Sequence, residues 1–261
     1  MKFSKNAKKL VALLKKVSPV AVALSGGLDS CVVAKAAKLA SEDSIAVTID
    51  DYTVPRRDLD DAKCVARMAG IRHVIVKSAP SKKVLGNPVD RCFYCKSHNY
   101  GLVKEEARRA GVKTVVDGAN LDDTKEYRPG MRAAKAMGVC SPLLELGFGK
   151  RETRRLAKEF GLPVWDKPSS ACLSSRIPHG ERITKGKLGR IELAEEAIRN
   201  MTGIKKVRVR AHGPLARIEV PADELMLFFD KNLIPRIAKR LRETGFSHVT
   251  LDLEGYRPGG R

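Results

Sequence analysis

Ser25-Gly26-Gly27-Leu28-Asp29-Ser30 follows a short apolar run, PVAVAL at 19–24, and runs directly into a helical pattern, DSCVVAKAAKLA. A glycine pair at such a junction lets the backbone turn tightly and approach an anion with no Cβ in the way. The helix behind it offers unpaired N–H groups and the positive end of its dipole. Ser25 and Ser30 add hydroxyl donors, and Asp29 is placed to help hold Mg²⁺ beside the phosphates of a nucleotide. No lysine follows the glycines and the spacing is not GxGxxG, so this is neither a Walker loop nor a dinucleotide fingerprint.

A strand, a tight loop and a helix in that order commit the chain to a parallel arrangement, and the following residues continue it. SIAVTID reads as a second strand, 57–69 as a helix, 73–76 as a strand, 94–110 as a helix, and KTVVDG as a strand ending at Gly118. The predicted fold class is α/β, a parallel sheet with helices on both faces, binding its ligand beyond the carboxyl ends of the strands. From about Lys167 the pattern changes. A polar loop, KPSSACLSSRIPHGERIT, precedes a helix over 187–200, and strands KKVRVRAH and ARIEV are spaced to pair as a hairpin around Gly213-Pro214. A helix over 223–244 and a last strand, HVTLDL, complete a small α+β domain, and the tail GYRPGGR reads as loose. The expected domains are 1–166 and 167–261.

With 43% hydrophobic and 31% charged residues over 261 positions, the chain has the balance of a soluble globular protein. No apolar run approaches the ~20 residues that span a bilayer. The basic start, MKFSKNAKKLVALLKKV, spaces its apolar residues at helical intervals and no small-residue cleavage site follows. It reads as an amphipathic surface helix, and the expected location is the cytoplasm. A net charge of +20 suits anionic partners such as nucleotides, phosphorylated small molecules or RNA, although 5% aromatic content leaves few platforms for stacking single-stranded bases.

Six cysteines in such a chain do not suggest a disulfide framework. Cys92-Phe93-Tyr94-Cys95 has the spacing of a metal or cluster pair, or of a dithiol. Cys172 lies among small residues in PSSACLSSR, with Arg176 near in sequence, a charge that favours the nucleophilic thiolate. Cys31 reads as a core residue, Cys64 lies on an amphipathic helix and Cys140 reads as packed, so all three read as structural. Asp117-Gly118 opens DGANLDD at the end of a strand, where carboxylates hold metal or ribose or simply form a turn. Arg208 and Arg210 alternate on a strand and share a face, as a fork for phosphate or carboxylate or as a solvated basic edge. His179 and His212 suggest no specific role.

SGGLDS resembles the pyrophosphate (PP) loop of the ATP pyrophosphatases, which cleave ATP between its α and β phosphates and adenylate their substrates. Together with NPVDRCFYCK, DGANLDD, RPGMRAAKAMGVCSPL, GLPVWDKPSSACLSSRIPHGERIT and RVRAHGPLARIEV, it makes the chain similar to the LarE sulfur transferases from Ser25 to about Val220. The resemblance implies a PP-loop domain over 1–166 and a substrate-binding, sulfur-transfer domain over 167–261. It implies adenylation, with ATP and Mg²⁺, of a carboxylate of pyridinium-3,5-biscarboxylate mononucleotide. Displacement of AMP by sulfur then gives a thiocarboxylate, for the nickel-pincer nucleotide cofactor. In one branch of the family the cysteine matching Cys172 surrenders its own sulfur. In another, three cysteines hold a [4Fe-4S] cluster whose open iron carries sulfide, and Cys92, Cys95 and Cys172 favour that version here. Arg208 and Arg210 match residues that bind the substrate phosphate, and Glu196 and Arg176 are carried over in the same way. The resemblance also implies an external sulfide or sulfur donor and a homo-oligomer, a hexamer in the family. The alternatives are a tRNA thiolase, which the basic charge favours but for which no second CxxC is present, and an amidotransferase or ligase using ammonia.

Overall fold

The computed structural model describes residues 3–125 and 128–257. The chain divides into two compact units, Met1–Val84 with Asp90–Ser170, and Leu85–Val89 with Ala171–Arg261. The division at Ser170/Ala171 lies four residues beyond the one expected from sequence, and a five-residue strip, Leu85–Val89, joins the second unit. Residues 258–261 of the tail read as loose lie outside the described residues.

The first unit runs α1 (Lys5–Val17), β1 (Val20–Ala23), α2 (Leu28–Ala40), β2 (Ile45–Asp50), α3 (Arg56–Ala69), β3 (Arg72–Lys77), a single turn α4 (Lys82–Leu85), α5 (Arg91–Arg109) and β4 (Thr114–Val116). A 3-10 turn (Leu121–Lys125), α6 (Pro129–Ala136), a single turn α7 (Pro142–Glu145) and α8 (Lys150–Glu159) follow. The four strands are all parallel in the order β3-β2-β1-β4. Side chains alternate along β1: Val20 and Val22 enter a core with α1, α2, α3 and α8, while Ala21 enters the opposite core with α5 and α6. Strand order reverses at β1, so the loop after β1 opens where such sheets bind ligands. On α1, Ala7, Leu10 and Leu14 are buried at helical spacing and the Ser4 hydroxyl caps the helix by accepting from the Ala7 amide at 3.2 Å. Among the described residues no helix is long and apolar enough to cross a membrane.

The second unit holds a 3-10 turn (Leu173–Arg176), α9 (Lys185–Thr202), β5 (Arg208–His212), β6 (Leu215–Glu219), a 3-10 segment (Ala222–Phe229), α10 (Leu233–Glu243) and β7 (His248–Leu251). β5 and β6 form the antiparallel hairpin expected around Gly213-Pro214, and β7 adds parallel to β6. The single helix expected over 223–244 is broken. Asp230 Oδ1 accepts from the Asn232 and Leu233 amides, at 2.7 and 3.3 Å, and restarts the chain as α10.

Candidate active site

The loop after β1 is shaped from outside. Gly26 has φ of +73°, and a Cβ there would lie 1.9 Å from the Asp58 carbonyl oxygen in the first turn of α3. Only glycine fits that approach. Ser30 Oγ accepts from the Ser25 amide at 3.1 Å and donates to the Gly27 carbonyl at 3.0 Å, closing the loop on itself. Gly27 is the N-cap of α2 and contributes no side-chain cap, and the first ladder bond runs from the Cys31 amide to the Gly27 carbonyl at 3.1 Å. The Leu28, Asp29 and Ser30 amides therefore precede the helical ladder, as an anion site requires.

Asp29 Oδ2 accepts a close hydrogen bond from Lys150 Nζ, whereas its buried Oδ1 has no hydrogen-bond partner. Burial pushes the Asp29 carboxyl above the usual carboxylate range, against the opposing pull of Lys150. An orphaned carboxylate oxygen beside a phosphate loop fits a hard cation, so the residues present suit Mg²⁺. Lys150, which sequence reading passed over, opens α8, and its amide donates to Asp122 Oδ2 at 2.8 Å. The signal available in sequence was Gly149-Lys150 before an amphipathic segment.

Asp117 is occupied within the protein. It accepts from Tyr100 Oη at 2.6 Å, Ser141 Oγ at 2.7 Å and the Ala119 amide at 3.1 Å, so it builds the loop after β4. Gly118 is the residue that meets the nucleotide loop: a Cβ there would stand 2.5 Å from the Ser30 amide nitrogen. Asp123 likewise serves the loop, accepting from the Asn120 amide and side chain and pairing with Arg128 at 2.8 Å.

Cys92 and Cys95 lie on the first and second turns of α5, which begins three residues earlier than expected, so both thiols ride on the helix. Cys92 is exposed and Cys95 half-buried. A helix N-terminus stabilises negative charge, which suits thiolate ligands. Cys31 is a core residue as expected, with burial pushing its thiol up to about 12. Cys64 and Cys140, expected to be structural, are exposed. Cys140 contributes its backbone, accepting from the Asp117 amide at 2.9 Å beside β4, and its side chain is left outside the core.

In the second unit Cys172 is half-buried and caps the 3-10 turn that follows it. Arg176, only 2% exposed, donates to the Ala171 and Cys172 carbonyls at 2.6 and 2.9 Å and forms a two-pronged pair with Glu195 at 2.8 and 3.1 Å. Its guanidinium thus holds the backbone at Cys172. Glu195 Oε1 also accepts from the Val209 amide at 3.1 Å on the edge of β5. Burial alone would raise the Glu195 carboxyl; Arg176, Arg208 and Arg199 more than offset it and hold it below the usual range. Glu196, the residue expected from sequence, is exposed on α9. Arg208 and Arg210 do share a face of β5. Arg208 is buried, and its guanidinium is pushed down to about 10 by burial and then by Arg176. Arg210 is half-buried and donates to Glu219 at 2.5 Å and to the Ser175 carbonyl at 3.0 Å.

Residues 10–118 match the asparagine synthase family model, which covers the nucleotide loop and the sheet around it. An uncharacterised protein of Synechocystis is 40% identical over 91% of this chain and 90% of its own length. The pyridinium-3,5-bisthiocarboxylic acid mononucleotide synthase of Lactiplantibacillus plantarum is 35% identical over 96% of this chain and 91% of its own. The chain belongs to the LarE family of PP-loop sulfur transferases. A tRNA-specific 2-thiouridylase of Rickettsia felis is 30% identical, but over only 62% of this chain and 55% of that enzyme.

As a LarE-family enzyme the chain uses ATP and Mg²⁺, and its first unit brings together Ser25, Gly26, Gly27, Asp29, Ser30 and Gly118, with Lys150 added. Asp117 supports that cluster from behind. In the second unit Cys172, Arg176 and Arg210 are linked through the 3-10 turn, and Glu195 is joined to them through Arg176. Among the described residues no three His, Cys, Asp or Glu side chains are gathered to hold a metal ion.

Proposed function

We propose that this enzyme adenylates a carboxylate of pyridinium-3,5-biscarboxylate mononucleotide and converts it to a thiocarboxylate, once for each carboxylate. The reading is carried by similarity to the Lactiplantibacillus synthase along nearly the whole of both chains, together with an intact nucleotide loop. The α2 amides receive the β and γ phosphates as pyrophosphate leaves. Mg²⁺, when bound at Asp29, neutralises the developing phosphate charge. Arg208 and Arg210 supply positive charge for the phosphate of the substrate nucleotide, and Arg176 fixes the backbone that carries Cys172.

For the sulfur step, Cys92, Cys95 and Cys172 are the thiolates that would hold a [4Fe-4S] cluster, whose vacant iron would carry sulfide from an external donor. The donor chemistry supports it: two thiols near the start of one helix and a third that is half-buried. Iron and acid-labile sulfide analysis of anaerobically purified protein and of Cys92→Ala, Cys95→Ala and Cys172→Ala tests it. Near-stoichiometric four-iron content, lost in each variant, is expected. An iron-free protein after reconstitution overturns the cluster. Loss of one H₂S at Cys172 after turnover would then establish that the cysteine gave its own sulfur. Pyrophosphate release with the mononucleotide dicarboxylate, tRNA or ammonia as acceptor separates this reading from a tRNA thiolase and from an amidotransferase. Light scattering tests the homo-oligomer that the family implies.

A further inference from the structure

Lys167 is a buried cation that neither the nucleotide chemistry nor the sulfur chemistry uses. It is 7% exposed, and its Nζ reaches the Gly26 carbonyl at 2.9 Å, Asp58 Oδ1 at 2.8 Å, and Asp61. Gly26 is buried in the nucleotide loop, where a Cβ would meet the Asp58 carbonyl oxygen. Three residues beyond Lys167, Ser170 Oγ donates to the other oxygen of the same carboxylate, Asp58 Oδ2, at 2.6 Å. Arg154 holds the chain just upstream, donating to the Trp165 and Lys167 carbonyls at 2.7 and 3.2 Å. The span from Trp165 to Ser170 is therefore pinned to α8, to α3 and to the nucleotide loop. Cys172 follows two peptide links later, within about 7 Å of the Ser170 Cα.

A buried ammonium has no water to replace a lost acceptor, so leaving one unmade is costly. Any shift of the Gly26 carbonyl when phosphate enters the loop must be followed by Nζ, and Lys167 carries the 165–170 span with it. We propose that Lys167 is a positioning residue that transmits occupancy of the nucleotide loop to the segment leading to Cys172. The inference rests on the loop being the ATP site and is independent of how sulfur is delivered.

Hydrogen–deuterium exchange of the full-length chain, with and without α,β-methylene-ATP and Mg²⁺, tests it. In the wild type the nucleotide should slow exchange at least threefold both at residues 25–31 and at 165–175. In Lys167→Met the protection at 25–31 should persist while 165–175 exchanges at the same rate with or without nucleotide. A merely structural ion pair would lower the melting temperature of the variant and leave the response at 165–175 intact, which would overturn the proposal. Should Lys167→Met fail to fold, Ser170→Ala removes only the distal hydrogen bond. It should at least halve the response at 165–175, and a full response there would equally overturn the proposal. A wild type protected at 25–31 but not at 165–175 would overturn the coupling alone. A wild type protected at neither would refute the nucleotide site and this inference with it.

Discussion

Asp29 gives one oxygen to Lys150 and keeps the other buried without a hydrogen bond, so its chemistry is set by competition among a lysine, a proton and a cation. A metal binds the carboxylate only when it is ionised. Because burial raises this carboxyl above its ordinary 3.8, protons compete with Mg²⁺ at a higher pH than at an ordinary carboxylate. Mg²⁺-dependent nucleotide binding should weaken on mild acidification, and titration calorimetry of Asp29→Asn should show weak binding without that pH dependence. Lys150→Met should lower the adenylation rate by about 100-fold, read as pyrophosphate release, since it removes a placed charge from the phosphate site. Glu195 shows the opposite sign. Its carboxyl is held below its ordinary 4.5, so the stability it contributes is present above that value and lost as pH falls through its folded one. Glu195→Gln leaves Arg176 buried without its counter-charge and should cost about 3–5 kcal/mol at neutral pH. Denaturant titrations across the acid range should show that the variant lacks this part of the wild-type decline.

At the scale of elements, the nucleotide loop is shaped by close backbone approaches. Gly118→Ala would drive a methyl to 2.5 Å from the Ser30 amide nitrogen, against backbone rather than a flexible side chain. The end of β4 must then move off α2. Nucleotide affinity is expected to fall at least tenfold by calorimetry, with the far-ultraviolet dichroism of the fold retained. Much of this architecture was legible in sequence, because β1 and β2 are short apolar runs bounded by turn residues and α2 follows a glycine pair. The helices between Pro129 and Glu159 were not anticipated. Their signals, Pro129 and Pro142 at first helical positions and Gly149 before α8, are local, and no strands separate them to mark the alternation. The site was legible where chemistry follows from residue type at a turn, as at Ser25–Ser30. It was not legible where tertiary contacts decide which carboxylate is spent. Asp117 and Asp29 look equivalent in sequence, yet Tyr100 and Ser141 engage one while the other keeps an orphaned oxygen. Likewise a one-residue step along α9 separates buried Glu195 from exposed Glu196, a distinction that the helix phase alone decides.

At the scale of the whole molecule, the second unit is not one continuous stretch of chain, because it includes Leu85–Val89. Asn87 is fully buried with a left-handed φ of 55°, and its side-chain amide donates to the Pro178 and Glu181 carbonyls at 2.7 and 3.0 Å. The Gly180 and Ile183 amides donate to the Asn87 and Leu85 carbonyls, each at 2.9 Å. A fragment of residues 171–261 would leave these groups without partners. It should be far less stable than the same residues in the full chain, with its amide resonances poorly dispersed, and a peptide of residues 85–89 added in excess should raise its melting temperature. The strip also sets an order of events during synthesis. Leu85–Val89 leaves the ribosome long before Ile177–Ile183, and at about 5–20 residues per second the interval is on the order of 10 s. For that time the strip is present in the growing chain before the carbonyls and amides of Ile177–Ile183 that pair with it in the finished protein.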